Sequence, residues 1–524
     1  MKILYNTRIH TLDKAKPLAS VIAIDHGVVI AVGGDELLSD FDRADKQDLQ
    51  GYTVMPGLTD AHLHLQYYSL SLQKIDCETE TFEECLQRVK ERAQKAGTGE
   101  WILGHGWNQN SWGDWPTAAD LDRITPNNPV FLTAKSLHAA WANSAALKLA
   151  GIGAGTADPK DGQLQRNAMG EPTGILLENA VSQVSDFVPE PSLGALADAI
   201  EKAQSILWKM GLTGVHDFDK RDCFLALQEL HAQQRLKLRV TKNIPVELLD
   251  HASEIGLRTG FGDDRLRIGS VKAFMDGALG PRTAAMFQPF LGEPENKGNL
   301  LLDGEQLFEF ARHAADSGLS MTVHAIGDRA NHEVLNAFEH LRAYETEKNL
   351  PHLRHRIEHV QVLHPDDVPR LAKLDIIASM QPIHATSDML MADKYWGERT
   401  SLAYALKTQL DAGAHVAFGS DAPVESPNPF LGIHAAVTRR RPDGSPGHAG
   451  WHPEQKLSLQ QAIEGFTIGA AYAAYAENRQ GSLTEGRLAD LIVLEKDPFT
   501  CDPEEVKDLQ SSATMVAGEW VLEI

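Results

Sequence analysis

The segment from Val54 to His64 joins a short apolar run to two closely spaced imidazoles, those of His62 and His64. Residues i and i+2 of a strand share one face, so both rings can point toward a single ion. Imidazole nitrogens are common ligands of zinc and related divalent metals. An isolated His-x-His pair is more often an ordinary pair of strand-end histidines, so the prediction of a metal site depends on other ligands in the chain.

Other polar residues of suitable chemistry end or follow further strand-like runs. The additional candidates for metal binding are Lys272, His324, His359 and Asp421. One strand-end histidine is usually a hydrogen-bonded core residue, but repetition of the pattern at several strand ends favours one shared site. His216 and Asp217 also end a run, and we expect them to support the ligands from behind rather than to bind metal.

The elements that would position these residues alternate along the middle of the chain. Eight strand-like runs cover residues 53–65, 213–218, 236–242, 268–274, 320–325, 355–360, 376–381 and 415–420. Helix-like segments lie between most of them, as at 305–317 and 329–344. This alternation predicts an α/β fold, a (β/α)8 TIM barrel, whose active site lies where the strands end.

The spacing of the runs also predicts the domain organisation. About 145 residues separate the first run from the second, whereas α/β loops usually have about 2 to 6 residues, so we expect an insertion near 70–210. Both chain ends contain short β-rich runs. We therefore predict a composite β-sandwich of residues 1–55 and 478–524 beside a hydrolase barrel of residues 56–477.

Charge and composition exclude several classes of partner. The net charge of -23 argues against nucleic acids and anionic membranes, which basic patches bind. The first residues become polar too early for a signal peptide, and no run approaches the roughly 18 apolar residues of a membrane span. We therefore expect a cytoplasmic protein with a small-molecule substrate. The four cysteines form no Cys-x-x-Cys pair, which argues against a thiolate zinc site.

The order His-x-His, lysine, histidine, histidine, aspartate resembles the amidohydrolase superfamily, in particular its family 3 of N-substituted formamide deformylase-like proteins. The matching phrases are Met55-Pro-Gly-Leu-Thr-Asp-Ala-His-Leu-His, Val271-Lys-Ala-Phe-Met-Asp-Gly-Ala-Leu-Gly, His324-Ala-Ile-Gly-Asp-Arg-Ala, Arg356-Ile-Glu-His, Phe418-Gly-Ser-Asp-Ala-Pro-Val and Gly481-Ser-Leu-Thr-Glu-Gly-Arg-Leu-Ala-Asp-Leu-Ile-Val-Leu. They extend over nearly the whole chain. The motifs identify the superfamily specifically, but they give little information about the substrate.

The resemblance implies a binuclear metal centre with a carboxylated Lys272. Burial lowers the pKa of a lysine, and a neutral amine can take up carbon dioxide to form a carbamate that bridges two cations. One metal would be held by His62, His64, Lys272 and Asp421, and the other by Lys272, His324 and His359. We expect zinc, with manganese, iron or cobalt as alternatives. If Lys272 instead pairs with Asp276 or Asp217, a one-metal site remains.

Such a site predicts hydrolysis of a carbon–nitrogen bond other than a peptide bond, in an amide or an N-acyl or N-formyl amine. Metal-bound hydroxide would attack, and Asp421 would shuttle the proton to the leaving nitrogen. One alternative is an aminohydrolase (deaminase) or an ester or carbamate hydrolase. Gly327 favours amide hydrolysis, because metal-dependent base deaminases would use a glutamate there. A non-catalytic regulatory scaffold would have lost ligands, whereas the ligand set here is complete.

Residues outside the metal shell are expected to contact the substrate. The candidates are Trp107 and His138 in the insertion and Gln381 and His384 after the seventh run, with Asp388 nearby. Packing inside the insertion is the alternative role for Trp107, since aromatic residues serve cores as often as pockets. Family habit also implies a homodimer.

Overall fold

In the computed structural model, which describes residues 1–134, 139–160 and 162–523, eight parallel strands form a nearly closed barrel sheet. In chain order these strands are Leu58–Leu63, Leu212–Asp217, Arg239–Pro245, Leu266–Phe274, Met321–Ala325, Arg356–His359, Ile377–Met380 and Val416–Phe418. Each pairs in parallel with the next along the chain. The predicted barrel is thus confirmed at the level of its eight strands.

Backbone hydrogen bonds just beyond the eighth strand connect it to the first. The Asp421 amide donates to the His62 carbonyl at 2.7 Å, and the His64 amide donates to the Ala422 carbonyl at 2.8 Å. Leu63 and Ala422 form a parallel bridge. The barrel sheet is therefore joined at the same residues that end its first strand.

The first predicted run, 53–65, is two strands rather than one. Thr53–Pro56 pairs with Leu491–Leu494 in another sheet, and Leu58–Leu63 pairs with the second barrel strand. Gly57 separates them, and a Cβ at this position would lie 2.3 Å from the Thr213 side chain. A larger residue would push the chain away from the second barrel strand, so glycine lets the two strands meet at this junction.

Helices follow most barrel strands and bury their apolar faces. Those after the second strand are Arg221–Ala232, Leu249–Glu254, Gly304–Asp316, Asp328–Lys348, Arg370–Lys373, Pro382–Ser387, Met389–Trp396, Leu406–Asp411, Pro429–Thr438, Leu459–Glu464 and Ala470–Ala473. Gly304–Asp316 begins at a capping box, in which Asp303 accepts from the Gln306 amide at 2.8 Å and Gln306 accepts from the Asp303 amide at 3.1 Å. Among the described residues, no helix has the length and apolarity that crossing a membrane requires.

Strands from the two chain ends build two further sheets. In spatial order, one contains Val28–Gly33, Val21–Asp25, Lys2–Tyr5 and Asp45–Asp48, and the other Glu519–Leu522, Ala513–Val516, Leu491–Leu494, Thr53–Pro56, Arg8–His10 and Leu18–Ala19. Leu4 and Ile22 from the first sheet and Val54, Leu491 and Met515 from the second belong to one buried hydrophobic cluster. A single core therefore contains residues from both ends of the chain.

Residues 69–199 form a second compact unit, and the rest of the chain forms the first. The sheet of this second unit contains, in spatial order, Gly162–Arg166, Pro172–Glu178, Ala139–Ala142, Val130–Ala134, Ile102–Trp107 and Ile75–Asp76. Its α-helices include Phe82–Ala93, Gln109–Trp112, Ala118–Asp122, Ser144–Leu149 and Ser182–Ser185. A buried cluster around Trp107 and Trp141 forms its core.

Candidate active site

Six predicted metal ligands meet at one cavity at the carboxyl ends of the barrel strands. The cavity has a volume of about 370 Å³, and the candidate ligands that line it are His62, His64, Lys272, His324, His359 and Asp421. They come from the first, fourth, fifth, sixth and eighth strands or the residues just after them. The parallel topology therefore brings together side chains that are far apart in the sequence.

His62, His64 and Asp421 approach one another most directly. The Nε2 atoms of His62 and His64 lie 3.5 and 3.4 Å from the same oxygen of Asp421, Oδ1. Both imidazoles thus face one point, as the i and i+2 spacing predicts. Ligand atoms of His62, His359 and Asp421 also lie within 4.8 Å of one another. Two nitrogens and a carboxylate at this spacing suit a divalent cation.

Carboxylates behind the two rings orient them. His62 Nδ1 lies 2.7 Å from Glu358 Oε2, and His64 Nδ1 lies 3.0 Å from Asp219 Oδ1. Hydrogen bonds from Nδ1 to these carboxylates leave each Nε2 with a lone pair directed at the cavity. Carboxylate–histidine pairs of this kind are typical of metal ligands, since the carboxylate selects the tautomer and strengthens the donor nitrogen.

His324 and His359 form the other side of the cluster, with ring centroids 4.6 Å apart. His359 Nδ1 lies 2.8 Å from Gln381 Oε1, so its Nε2 is the nitrogen available for a metal. His324 Nε2 lies 2.9 Å from the carbonyl oxygen of Gly277, which leaves Nδ1 for this role. The four imidazoles therefore all have one nitrogen engaged by protein and one that can bind a cation.

Two candidate ligands occupy left-handed backbone conformations. His359 has φ 77° and Asp421 has φ 62°, a region that non-glycine residues rarely adopt. His359 is the last residue of the sixth strand, and Asp421 follows the eighth. Such conformations cost about 1 to 3 kcal/mol each and persist where the surrounding structure imposes them, often at functional sites. The chain turns at these two points and brings both side chains to the cavity.

Lys272 is almost entirely buried, 5% exposed, and its Nζ lies among aromatic rings. The ammonium is 4.7 Å from the centroid of Phe218 and 4.9 Å from that of Phe274. Burial lowers the pKa of Lys272 to about 8, although Glu358 and Asp421 oppose the shift. A substantial neutral fraction therefore exists near neutral pH.

The alternative partners of Lys272 are already engaged. Asp217 forms an ion pair with Lys242, whose Nζ lies 2.7 Å from Asp217 Oδ2. Asp276 accepts backbone hydrogen bonds from Ala285, Ile326 and Gly327 at 2.8–3.0 Å. The structure therefore does not place Lys272 in either of the two predicted ion pairs.

The site holds three imidazoles neutral and one charged in the metal-free protein. Burial and the Lys272 charge lower the pKa of His62 to about 4 and that of His324 to about 3. Burial and the neighbouring His324 lower the pKa of His359 well below its ordinary value. Burial also opposes protonation of His64, but the carboxylates of Asp219 and Asp421 raise its pKa to about 9. Neutral imidazoles are the form that binds metal.

A model of the amidohydrolase family matches residues 46–522. The chain belongs to the amidohydrolase family. This amidohydrolase is 34% identical to Protein LONG AFTER FAR-RED 3 of Arabidopsis thaliana, with 98% of this chain and 90% of that protein covered. It is 27% identical to the N-substituted formamide deformylase of Arthrobacter pascens, with 98% and 97% covered.

A solved structure resembles the amidohydrolase over almost its whole length. It is an uncharacterized metal-dependent hydrolase from Pyrococcus furiosus, 31% identical, with a TM-score of 0.79 and coverage of 95% of this chain and 100% of that one. The superfamily resemblance seen in the sequence motifs is therefore confirmed, and so is the prediction that the protein is a hydrolase of this family.

Three carboxylates of the amidohydrolase site have roles that the sequence analysis did not assign. They are Asp60, Asp219 and Glu358. Asp60 is fully buried and accepts from the backbone amides of His62 and Ser420, both at 3.0 Å, which connects the first strand to the end of the eighth. Strand alternation could have found it, because Asp60 precedes His62 by two residues. Glu358 was visible beside His359, but its partner His62 is distant in sequence.

The predicted support residues also lie at the barrel end, and each contacts charged groups rather than the cavity. His216 Nδ1 lies 3.0 Å from Arg356 Nη1. Asp217 accepts from Lys242 and from the Leu65 amide at 2.9 Å. These contacts agree with a supporting position behind the ligands.

The predicted substrate contacts have different surroundings. His384 lines the cavity, whereas Gln381 contacts His359 through its amide oxygen, which suits a positioning residue. Trp107 is fully buried in the second unit, where its Nε1 donates to the Leu132 carbonyl at 2.8 Å, so its predicted substrate contact stays a prediction. His138 lies outside the described residues.

Proposed function

We propose that this amidohydrolase hydrolyses a carbon–nitrogen bond other than a peptide bond, in an amide or an N-acyl or N-formyl amine. The observation that carries the proposal is the convergence of His62 and His64 on one oxygen of Asp421, with a carboxylate behind each ring. This arrangement has the donor set of a hydrolytic metal centre.

The donors fit a pair of divalent metals, which we propose to be zinc. His62, His64 and Asp421 would hold one ion, His324 and His359 the other, and a carboxylated Lys272 both. Imidazole and oxygen donors suit zinc, and bound zinc lowers the pKa of water toward about 7 and polarises a carbonyl group.

The surroundings of Lys272 support carboxylation. Its pKa of about 8 leaves part of the amine neutral, and a neutral amine attacks carbon dioxide. The resulting carbamate would place a negative charge in a cavity that the two metals would make positive. Neither of the two predicted ion-pair partners binds Lys272, since Asp217 pairs with Lys242 and Asp276 accepts from backbone amides.

Asp421 is positioned to move the proton. Although burial favours its protonated form, the neighbouring His62 ring and the hydrogen bond from His64 lower the pKa of Asp421 well below its usual range. The ionised carboxylate can accept a proton from the attacking water and then donate it to the departing nitrogen. Its position beside both His62 and His64 keeps the carboxylate at the proposed metal site.

Two observations favour amide hydrolysis over deamination. A Cβ at Gly327 would lie 2.0 Å from the Ala285 carbonyl oxygen, so no glutamate can stand where a deaminase would use one. The family relative from Arthrobacter pascens is an N-substituted formamide deformylase. We propose formamides and short acyl amides as the first substrates to assay.

We also propose the domain division made from the sequence. Residues 1–55 and 478–524 would form one β-sandwich, supported by the hydrophobic core that contains Leu4, Val54 and Met515. Residues 56–477 would form the hydrolase domain with its insertion near 70–210, supported by the compact unit of residues 69–199.

Metal content and substrate range test the proposed function together. Plasma mass spectrometry should find about two metal atoms per chain, falling in Lys272→Ala, as a bridged pair requires. Amine release from formamides and acyl amines should exceed ammonia release from purines and cleavage of esters. Metal-free protein that gains no activity with zinc, manganese or cobalt, or preferential deamination of purines, would overturn the proposal.

A further inference from the structure

Two carboxylates face the active-site cavity away from the imidazole cluster. Asp388 lies between the helices Pro382–Ser387 and Met389–Trp396, and Glu425 lies in the segment after Asp421. Both line the same cavity as the candidate metal ligands, and both are half-buried. The cavity therefore has a second polar region that the proposed hydrolysis does not use.

Each carboxylate has a hydroxyl-bearing neighbour, Tyr404 for Asp388 and Ser387 for Glu425. Tyr404 donates to Asp388 Oδ2 at 2.6 Å, which fixes the carboxylate and leaves its other oxygen for a ligand. The nearby Arg441 binds the backbone carbonyls of Thr386 and Ser387, both at 2.8 Å. The charge of Arg441 acts on Glu425, but its guanidinium donates to these carbonyls, so the two carboxylates at the cavity still favour a cationic ligand.

The charge state of Glu425 agrees with this argument. Burial raises the pKa of Glu425 and the negative charge of Asp388 adds to the shift, whereas Ser387, His384 and Arg441 oppose it. The two groups therefore lie close enough to repel each other. A cation between them would relieve this repulsion and compensate for the loss of hydration.

His384 provides an independent indication that a polar ligand binds here. Its side chain lines the cavity and is only 5% exposed. Its Nδ1 lies 3.4 Å from Gln361 Nε2, whereas its Nε2 is buried without a hydrogen-bond partner among the described residues. Buried polar atoms are normally hydrogen-bonded, so we expect this nitrogen to have a partner other than the described residues.

Apolar side chains cover the remaining walls of the cavity. They are Phe274, Leu279, Ile326, Met391 and Val424. Phe274 is 47% exposed and Val424 67%, which is unusual for large hydrophobic residues. Side chains of this kind suit a hydrocarbon stem more than a second charged group.

We propose that the substrate is an amide that carries an ammonium or guanidinium group, joined to the scissile bond by an apolar stem. The cationic group binds Asp388 and Glu425, and the stem contacts the apolar walls. This inference rests on the proposed function for its scissile bond, whereas its cation site rests on the two carboxylates and His384.

Matched amides with one changed end test the proposal on the metal-loaded enzyme. Monoformylated α,ω-diaminoalkanes end in an ammonium, the corresponding N-alkylformamides in a methyl group, and the corresponding ω-formylamino acids in a carboxylate. Charge-assisted hydrogen bonds predict that kcat/KM is about tenfold or more higher for the ammonium series than for the methyl series. It should be lowest for the carboxylate series.

The variants Glu425→Gln and Asp388→Asn keep the shape of each side chain and remove its charge. Each should reduce the ammonium-to-methyl ratio of kcat/KM by about tenfold, mainly through KM. Glu398→Gln is the matched control, because Glu398 is exposed and does not line the cavity. A ratio that is unchanged in Glu425→Gln and Asp388→Asn would overturn the proposed cation site.

Binding measurements separate this inference from the proposed function. Calorimetry on the Asp421→Asn variant, in which turnover is slow, should show tighter binding of the ammonium amides. Equal turnover of the ammonium and methyl amides would overturn the cation site and leave the proposed hydrolysis intact. Tighter ammonium binding without turnover by the wild-type enzyme would support the cation site and overturn the proposed hydrolysis. If the ammonium amides are neither bound more tightly nor hydrolysed, both the cation site and the proposed hydrolysis are overturned.

Discussion

Two side-chain clusters at the same end of the barrel have the spacing of a metal site, yet their electrostatics differ. Ligand atoms of His62, His359 and Asp421 lie within 4.8 Å of one another, and so do those of Asp217, Asp219 and Cys223. The second cluster has a cation of its own, since Lys242 lies 2.7 Å from Asp217 and also donates to the Asp219 carbonyl. Proximity of ligand atoms alone therefore does not distinguish a metal site from a buried ion pair.

The two lysines make the difference explicit. Burial opposes the charge of both, but Asp217 raises the pKa of Lys242, whereas the pKa of Lys272 falls to about 8. Lys242 is a permanent counter-ion, whereas Lys272 loses its proton at a much lower pH than an ordinary lysine. A buried cluster whose own cation is missing or easily discharged is the one that can accept an ion from solution.

The largest expected effect is the loss of activity in Asp421→Asn. Removal of the proton acceptor should lower kcat by about 10² to 10⁴-fold, while the far-ultraviolet circular dichroism and the unfolding midpoint stay close to wild type. Asp217→Asn is the matched control from the other cluster and should lower the free energy of unfolding instead. Full activity of Asp421→Asn would rule out the proton shuttle.

The second prediction contrasts the two lysines by stability. Lys242→Met leaves Asp217 buried without its partner and should lower the free energy of unfolding by about 3 to 5 kcal/mol. Lys272→Met removes a poorly solvated amine and should cost little stability but much of the bound metal. Urea denaturation and metal analysis of both variants measure the contrast. Equal destabilisation by the two changes would show that both lysines are structural counter-ions.

The third prediction concerns pH in the metal-free protein. Lys272 has a folded pKa of about 8, below its ordinary value of 10.5, so between these values the unfolded chain binds more protons. Wild-type stability relative to Lys272→Met should therefore rise by about 3 kcal/mol as pH increases from 8 toward 10.5. The folded pKa of Lys242 is raised, so its contribution should persist below pH 10.5 and fall only above that value. Denaturation at several pH values measures both differences, and a flat curve for Lys272 would contradict the prediction.

The smallest expected effect belongs to the carboxylates behind the imidazoles. Glu358→Gln and Asp219→Asn should weaken metal binding by about 10 to 100-fold, because the rings lose the partners that select their tautomers. Competition with a chelator of known affinity measures the loss. Asp219 belongs to the second cluster and also contacts His64, so Asp219→Asn should lower stability as well. Unaltered metal affinity in both variants would show that these carboxylates do not orient the imidazoles.

The barrel was predictable because its strands are short apolar runs separated by helical segments. His324 and His359 are at the ends of such runs, and the parallel topology brings their side chains to one cavity. The division of the first run at Gly57 was not predictable, since it depends on the approach of Thr213 from the second barrel strand. Apolar periodicity does not reveal a close backbone contact between distant segments.

The candidate ligands were predictable by residue type, but their hydrogen-bond partners were not. His62 and His64 follow strand alternation, whereas their partners Glu358 and Asp219 lie far along the chain. Gln381 was expected at the substrate, and only the three-dimensional arrangement shows its contact with His359. Local patterns identify a metal donor, and the fold decides which neighbour orients it.

The seam of the barrel has a consequence for laboratory evolution of this enzyme. The backbone bonds between His62 and Asp421 and between His64 and Ala422 lock the first strand to the eighth at the ligands themselves. Asp388 and Val424 lie in loops outside that seam, and Met391 lies in the helix Met389–Trp396. Randomised libraries confined to these three positions should therefore change substrate preference while the metal-binding geometry is inherited unchanged by every member.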